Sequence, residues 1–534
     1  MNWIFLPATV LITLCALLMS RRLLHVFQLE SYQYHGYRKS VIRLYKRCVI
    51  PFALFGILLA VGLFCADKLL LKDVTGKEWI LSGMAFVCVA VFTVFICKSD
   101  RKRVEKKKFV LTARMKRLCV IHALLILAVQ LVLQAALRVP FGFYCVFIAL
   151  LPLLLVISSL VAKPVEKIIF MMYFNDAKNK LLENKRLIRI GITGSYGKTS
   201  TKVILAQILS TKFKVLATPA SFNTPMGVTR IIRERLDLSH QVFIGEMGAR
   251  HTGEIKELCN LVHPQIGILT SVGPQHLDTF KTIERIRDTK YELIEALPED
   301  GYAVFSDDGA IVTELYGKTK SPKSVIVGTP GSGAWAEDIK VGSNGSSFTL
   351  HVEGREPVHC ETRLLGEHNI RNIVVSAAVA DHLGVDMKHI AMGIESLKPV
   401  EHRLQLLRSA GGITVIDDAF NTNPRSSKAA LQVLGMFEGR KILVTPGMVE
   451  LGDMESQYNR EFGKNIYGNA DYVFLVGKKH TAPIREGLTE AGFDENAICT
   501  VSSLNEAIEK MNTMLQPGDV VMYENDLPDH YSEN

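Results

Sequence analysis

A lysine and a threonine at the end of a glycine-rich turn form the arrangement that grips the terminal phosphates of a nucleotide. Residues 191–202 read GITGSYGKTSTK. A short apolar run, 187–190, precedes them, and a helical pattern from Val203 to Leu209 follows. Glycines let backbone N–H groups approach phosphate oxygens, and the N-terminus of the next helix adds positive potential. On this reading Gly194, Ser195, Gly197, Lys198, Thr199 and Ser200 bind nucleotide. Lys198 reaches the terminal phosphates, and the Thr199 hydroxyl binds Mg2+. The spacing departs from the strict phosphate-loop pattern, which asks for glycine at 192, where this chain has Ile192.

Other loops are rich in groups that bind metal or substrate. Glu246 follows the apolar run 242–244, where a carboxylate fits a Mg2+ ligand beside a phosphate loop; the alternative is a solvated loop carboxylate. His276, in the loop after 266–269, is a candidate metal or substrate ligand, although an isolated loop histidine is usually neither. Lys290 lies on the following helix, 283–296, where a lysine is ordinarily solvated. Asn369, Arg371 and Asn372 open an alanine- and valine-rich helix, as caps or as adenine contacts. Arg403 sits in a candidate hinge. After it, 417–424 reads DDAFNTNP, two acids and two asparagines ahead of a proline, a loop built for polar contacts.

The elements that must position these groups follow from periodicity. From 187 to about 400, short apolar runs alternate with helical patterns, which predicts a doubly wound, mostly parallel sheet. Strands are expected at 187–190, 242–244, 266–269, 303–305 and 325–327. The Gly/Ser-rich stretch 332–362 predicts a small antiparallel excursion. A second α/β series starts near 401, with strands at 413–416, 441–444, 472–476 and 520–523. The reading is therefore three regions: 1–170, 171–400 and 401–534.

The first of these is of a different kind. The 534 residues are 48% hydrophobic, and the excess lies at the N-terminus, in runs near 2–19, 49–66, 79–97, 118–137 and 141–162. Each is close to the length of about 20 residues that spans a bilayer. The first has neither a basic start nor a small-residue cleavage site, so it is read as an uncleaved span rather than a signal peptide. The net charge of +9 concentrates in two loops, 21–47 and 98–117. Basic loops beside spans stay in the cytoplasm, which puts the nucleotide loop where ATP is and predicts a multi-pass protein of the cell membrane with cytoplasmic catalytic domains. The same charges favour anionic membrane lipids over nucleic acid as partners. Seven of the ten cysteines (15, 48, 65, 88, 97, 119 and 145) lie in or beside the apolar runs. With no metal-type spacing, the cysteines are expected as small buried hydrophobes.

Taken together, these stretches resemble the Mur ligases, the ATP-dependent amide ligases of peptidoglycan precursor synthesis. The type that adds D-alanyl-D-alanine to UDP-muramoyl-tripeptide is the most similar. The resemblance covers about 187–525. It rests on 191–202, 221–227 (SFNTPMG), 245–254 (GEMGARHTGE), 273–278 with Lys290, 366–372 (GEHNIRN), 417–424 and 449–452 (VELG). It implies a central phosphate-loop ATPase domain and a C-terminal Rossmann-like domain behind an α-helical membrane region. It implies ATP and Mg2+ as cofactors, and a reaction in which a substrate carboxylate becomes an acyl phosphate that an amine then attacks. It further implies that Lys198, Glu246, His276 and Lys290 are catalytic. Thr199 and Glu246 would hold one Mg2+, and His276 with a carbamylated Lys290 a second. Asn369 and Asn372 would line the adenine pocket, Arg403 would approach the phosphates and Asp418 the ribose. Asn223, Asn421 and Asn423 would position substrate or nucleotide. The partners are a carboxylate acceptor and a peptide or amino-acid amine donor; the acceptor is a muramoyl peptide or, in the alternative, a lipid-linked muropeptide or another envelope polymer, since the layout also resembles membrane-anchored relatives that make poly-glutamate.

Three departures stand out. Apolar runs replace the family's N-terminal domain that grips the UDP sugar. Its Lys-Gly-Ser-Arg stretch is replaced by 523–528 (YENDLP), whose Glu524 and Asp526 either favour a cationic substrate or are solvated charges. Asn459 stands where the family has histidine. Two other classes stay open on sequence alone, a nucleotide-gated transporter or sensor and an ATP-binding scaffold.

Overall fold

In a computed structural model, the described residues are 6–30, 32–72, 74–101, 108–135, 143–219, 222–408, 411–420 and 422–527. The chain forms two compact units, Met1–Met171 and Met172–Leu527. The helix Leu151–Glu183 carries the chain from one into the other.

Among the described residues, four helices are long and apolar enough to cross a membrane: Ile50–Leu70, Trp79–Asp100, Ala113–Leu133 and Phe147–Glu183, the last running on into the second unit. The fifth expected span, 2–19, differs. It appears as a pair, Thr9–Met19 and Arg21–Leu29, bent by 41°. The charged stretch 163–186 is not a separate coupling helix either; through Glu183 it continues the last apolar helix. Outward faces carry large apolar side chains such as Leu58, Val91 and Phe95, which suits lipid as solvent. Cys65 and Cys88 are exposed rather than buried, while Cys48, Cys259 and Cys360 are buried as expected. Polar side chains tie the helices together inside. His122 Nε2 lies 3.1 Å from Ser20 Oγ, and its Nδ1 lies 2.8 Å from Ser158 Oγ. Gln130 donates to Thr13 Oγ1 at 2.8 Å. Such bonds between helices are a common glue in apolar bundles.

The second unit holds three sheets. The first contains β1 (Ile188–Thr193), β2 (Val215–Ala217), β3 (Val242–Glu246), β4 (Ile266–Leu269), β5 (Tyr302–Ser306) and β6 (Lys323–Val327). Its order is β2-β3-β1-β4-β5-β6, and every pairing is parallel. The second sheet is the antiparallel trio β7 (Ala334–Gly342), β8 (Gly345–Val352) and β9 (Val358–Thr362). The third contains β10 (Gln405–Arg408), β11 (Thr414–Asp418), β12 (Lys441–Thr445), β13 (Tyr472–Val476), β14 (Ile498–Val501) and β15 (Val520–Glu524). Its order is β10-β11-β15-β12-β13-β14, with β10 antiparallel to β11.

Near-continuous apolar strands, such as 266–269 and 473–475, are buried on both faces, as parallel sheets covered by helices require. The first core joins Ile190, Ile192, Ile244 and Ile268 to Ile204 and Ile208 of the helix Lys198–Leu209. Ile373, Val374 and Ala377 of the helix Glu367–His382 complete it. This packing sets the N-terminus of one helix beside the first turn of the other. In the third sheet Ile416, Leu443, Val473 and Met522 pack under the helices Pro424–Gly435 and Glu455–Ile466. Open α/β sheets bind ligands beyond the carboxyl ends of strands where the order reverses. Here those positions are the ends of β1 and of the trio β11, β15 and β12.

Candidate active site

Beyond β1 the backbone turns through Gly194 (φ 149°) and Gly197 (φ 79°). A Cβ at Gly194 would fall 2.1 Å from Thr270 Oγ1, and one at Gly197 would fall 2.9 Å from Asn372 Oδ1. Both positions demand glycine. Position 192 does not, because Ile192 is still within β1 and wholly buried in its core. The loop begins later than the strict pattern assumes.

A lattice of hydrogen bonds ties this loop to the one after β4. Ser195 N donates to Ser271 O, and Ser195 Oγ to Gly273 O, at 2.8 and 2.9 Å. Tyr196 N donates to Ser271 Oγ, and its phenol to Pro274 O, at 2.7 and 2.8 Å. Lys198 Nζ folds over the loop, donating to Gly194 O at 2.7 Å and Ser195 O at 3.0 Å. Burial pushes its pKa down to about 8, with Glu246 opposing the shift and Arg403 adding to it.

The register of β1 on β3 sets Glu246 opposite Ile192, beside the glycine loop. Glu246 is buried and its pKa is lowered: burial opposes ionisation, but the charges of Lys202 and Lys198 outweigh it. Lys202 Nζ donates to Oε2 at 2.8 Å, and Asn223 Nδ2 to Oε1 at 2.9 Å. Asn223 therefore orients Glu246, and the solvated-loop alternative for Glu246 does not apply.

A cleft between the first and third sheets is lined by residues 195–200, Asn369, Asn372, Arg403, Asp418 and Asn423. Asn372 Oδ1 accepts from Thr201 Oγ1 at 3.1 Å, and Asn369 Nδ2 donates to Leu365 O at 2.9 Å. Arg403 lies over the Phe420 ring at 4.6 Å, and its Nε is a buried donor without a partner. Asp418 accepts from Leu404 N at 3.1 Å. Burial raises its pKa to about 7, against the pull of Arg403. Asn423 caps the helix Pro424–Gly435, its Oδ1 accepting from Arg425 N and Ser426 N at 3.1 and 3.0 Å. Asn421 lies outside the described residues.

Neither His276 nor Lys290 is part of that cleft wall. His276 Nδ1 is 2.6 Å from Glu450 Oε2. Lys290 is 2% exposed, with Nζ 5.9 Å from the centre of the Phe280 ring. Burial, with Lys198 nearby, lowers its pKa to about 7. It is no solvated helix lysine.

Residues 192–380 match the Mur ligase middle domain, and 402–523 match the glutamate ligase domain of Mur ligases. The UDP-N-acetylmuramoyl-tripeptide–D-alanyl-D-alanine ligase of Bacillus subtilis is 30% identical over 337 residues, 62% of this chain and 72% of that protein. The chain belongs to the Mur ligase family. The Escherichia coli enzyme of the same name is 31% identical, over 62% of this chain and 73% of its own. Among solved structures, MurF from Acinetobacter baumannii superposes with a TM-score of 0.62 at 27% identity, covering 68% of this chain and 79% of that one. MurF from Thermotoga maritima in complex with ADP gives 0.60 at 25%, covering 68% and 82%.

As a Mur ligase the chain is an ATP-dependent ligase, and members of the family use ATP and Mg2+. The residues present fit both. The orphaned Arg403 Nε and the glycine cradle suit phosphate. A carboxylate and a threonine hydroxyl beside phosphate oxygens form the hard donor set that Mg2+ prefers. Among the described residues no three His, Cys, Asp or Glu side chains gather into a ready-made metal site.

Four further residues that the sequence reading gave no role lie in or beside these loops. Lys202 is one helical turn past Lys198, so the i, i+4 spacing carried a signal. Asp308 accepts from Arg371 NH1 at 2.8 Å and Arg425 NH1 at 2.5 Å, and its partners come from distant segments that no local pattern links. Tyr196 lies within the glycine loop and Glu450 within 449–452, where residue type alone assigns neither a role. Glu524 is not a solvated charge: it is 0% exposed, with Oε2 accepting from Thr445 Oγ1 at 2.7 Å, and it does not line this cleft. Asp526 is exposed. Asn459, in place of the family's histidine, is buried and binds Met448 N and O at 2.9 Å each, which fixes the turn that bears Glu450.

Proposed function

We propose that this Mur ligase joins D-alanyl-D-alanine to a muramoyl tripeptide in peptidoglycan precursor synthesis, as its curated relatives are named for doing. The observation that carries this reading is one cleft holding a glycine phosphate cradle, the orphan Arg403 donor and buried Asp418, beside the Lys198–Glu246–Lys202 charge cluster. ATP supplies the phosphoryl group, and the acyl phosphate formed on the substrate carboxylate is then attacked by the amine. Lys198 and Arg403 offset the charge that builds up on the transferring phosphoryl group. Thr199 and Glu246 would hold one Mg2+, and His276 with Lys290 would serve a second. Lys290 does so as a carbamate, since an ammonium offers no lone pair to a metal. Its buried amine, with a pKa near 7, is chemically suited to take up CO2.

The four apolar helices, and the bent pair as a fifth, anchor the enzyme in the cell membrane. The basic flanks 30–47, after the bent pair, and 98–117 face the cytoplasm, with the catalytic domains on the same side. The same helices favour a second reading, in which the acceptor is lipid-linked, because a soluble nucleotide sugar needs no membrane enzyme.

The test is phosphate release by the full-length protein with ATP, Mg2+, UDP-muramoyl-tripeptide and D-alanyl-D-alanine, with products identified by mass spectrometry. Formation of the pentapeptide product supports the first reading. Activity only after addition of lipid-linked muropeptide replaces it with the second.

A further inference from the structure

Two loops from different sheets meet at His276 and Glu450. His276 follows β4, and Glu450 follows β12. Both residues have left-handed backbones, φ 52° and 65°, a conformation that non-glycine residues adopt rarely and that clusters at functional sites. Glu450 Oε2 lies 2.6 Å from His276 Nδ1, and its other oxygen lies 3.3 Å from Arg250. With both oxygens engaged, the carboxylate is fixed in orientation. Asn459 in turn holds the Glu450 turn by three bonds, two to Met448 and one to Glu455 O at 3.0 Å. A Cβ added at Gly452 would lie 3.6 Å from Asp278 N and 3.7 Å from Leu277 C, immediately after the histidine.

We propose that Glu450 is a positioning residue for His276. By accepting the Nδ1 proton it fixes the ring tautomer and leaves the Nε2 lone pair for a cation. A carboxylate behind a ligating histidine is a recurrent way to orient the ring and raise its basicity. Because this carboxylate belongs to the third sheet, the His276 site is complete only when that sheet is docked on the first. The inference rests on the proposed role of His276 at the second Mg2+.

The test uses the full-length protein in detergent, with Mn2+ as the probe and a non-hydrolysable ATP analogue. Bound Mn2+ is counted by electron paramagnetic resonance, and analogue affinity is measured separately. Wild type is expected to bind two Mn2+ per chain, and His276→Ala one. Glu450→Ala should weaken the second Mn2+ by roughly 10- to 100-fold, with the first Mn2+ and the analogue bound as in wild type. Glu450→Gln, which keeps an acceptor oxygen, should recover most of that loss. The double variant His276→Ala/Glu450→Ala should be no worse than His276→Ala. Two Mn2+ bound with wild-type affinity by Glu450→Ala, while His276→Ala loses one, overturns this inference and leaves the role of His276 intact. A single Mn2+ in wild type overturns both. Glu450→Gln as weak as Glu450→Ala overturns the hydrogen-bond account.

Discussion

Lys202 and Glu246 form an ion pair at 2.8 Å with both side chains 1% exposed. Removing one partner of such a pair leaves a buried charge, which costs about 3–5 kcal/mol. Replacing both by apolar groups is far less costly, because neither then has to be desolvated. Lys202→Met should therefore destabilise the protein by that amount and abolish phosphate release. Lys202→Met/Glu246→Leu should regain most of the stability and none of the activity. Thermal unfolding with a parallel phosphate assay separates the two effects. A stable, active Lys202→Met would show that the pair does not organise the site.

The pattern of legibility follows from how local each signal is. The glycine loop, β4 and β13 are continuous in sequence, so composition and spacing locate them. The strands β2, β10 and β14 span 3, 4 and 4 residues, and unlike the equally short β4, which is apolar and buried throughout, none of them is marked by a continuous apolar, buried run. Glu246 could be placed near the phosphates from its position after a strand, but its Lys202 and Asn223 partners needed the fold. The Asp308–Arg425 and His276–Glu450 contacts join segments 117 and 174 positions apart. Glu524 was misjudged because polarity alone cannot tell a buried carboxylate from a solvated one.

The Asp308–Arg425 bridge lies on the wall of the nucleotide cleft and joins the first α/β half to the second. Arg425 is 51% exposed, so the bridge adds under about 1 kcal/mol to stability. Its expected effect is on binding instead. Arg425→Ala should raise KM for ATP roughly fivefold, equivalent to about 1 kcal/mol, with a smaller effect in high salt as screening weakens the wild-type contact. Initial rates at two ionic strengths decide it. An unchanged KM at both would mean that the bridge plays no part in closing the cleft.

The buried amine of Lys290 gives the carbamate reading a direct check. Full-length protein exchanged into 13C-bicarbonate should show a carbamate carbon resonance, and Lys290→Arg should not. That variant should lose activity on the order of 10²-fold or more, the scale of removing one group that stabilises transition-state charge. A labelled carbamate that persists in Lys290→Arg would place the modification on another amine.

Glu524 and Asp418 sit at the ends of the adjacent strands β15 and β11, paired in register. Burial, Asp418 included among its causes, raises the Glu524 pKa from 4.5 to about 8. For an acid whose pKa is raised by folding, the neutral form is favoured in the native state. The native protein then binds more protons than the unfolded chain between these two values. Stability tied to this group is fully present below pH 4.5 and is lost as the pH rises through about 8. Glu524→Gln keeps a neutral side chain of the same shape at every pH. Its melting temperature relative to wild type should therefore rise from pH 5 to about 8 and level off above that. Thermal unfolding of both proteins across that range tests the sign. A difference that stays flat would mean that Glu524 ionises in the fold as readily as in water. A cation would then have to lie beside the carboxylate.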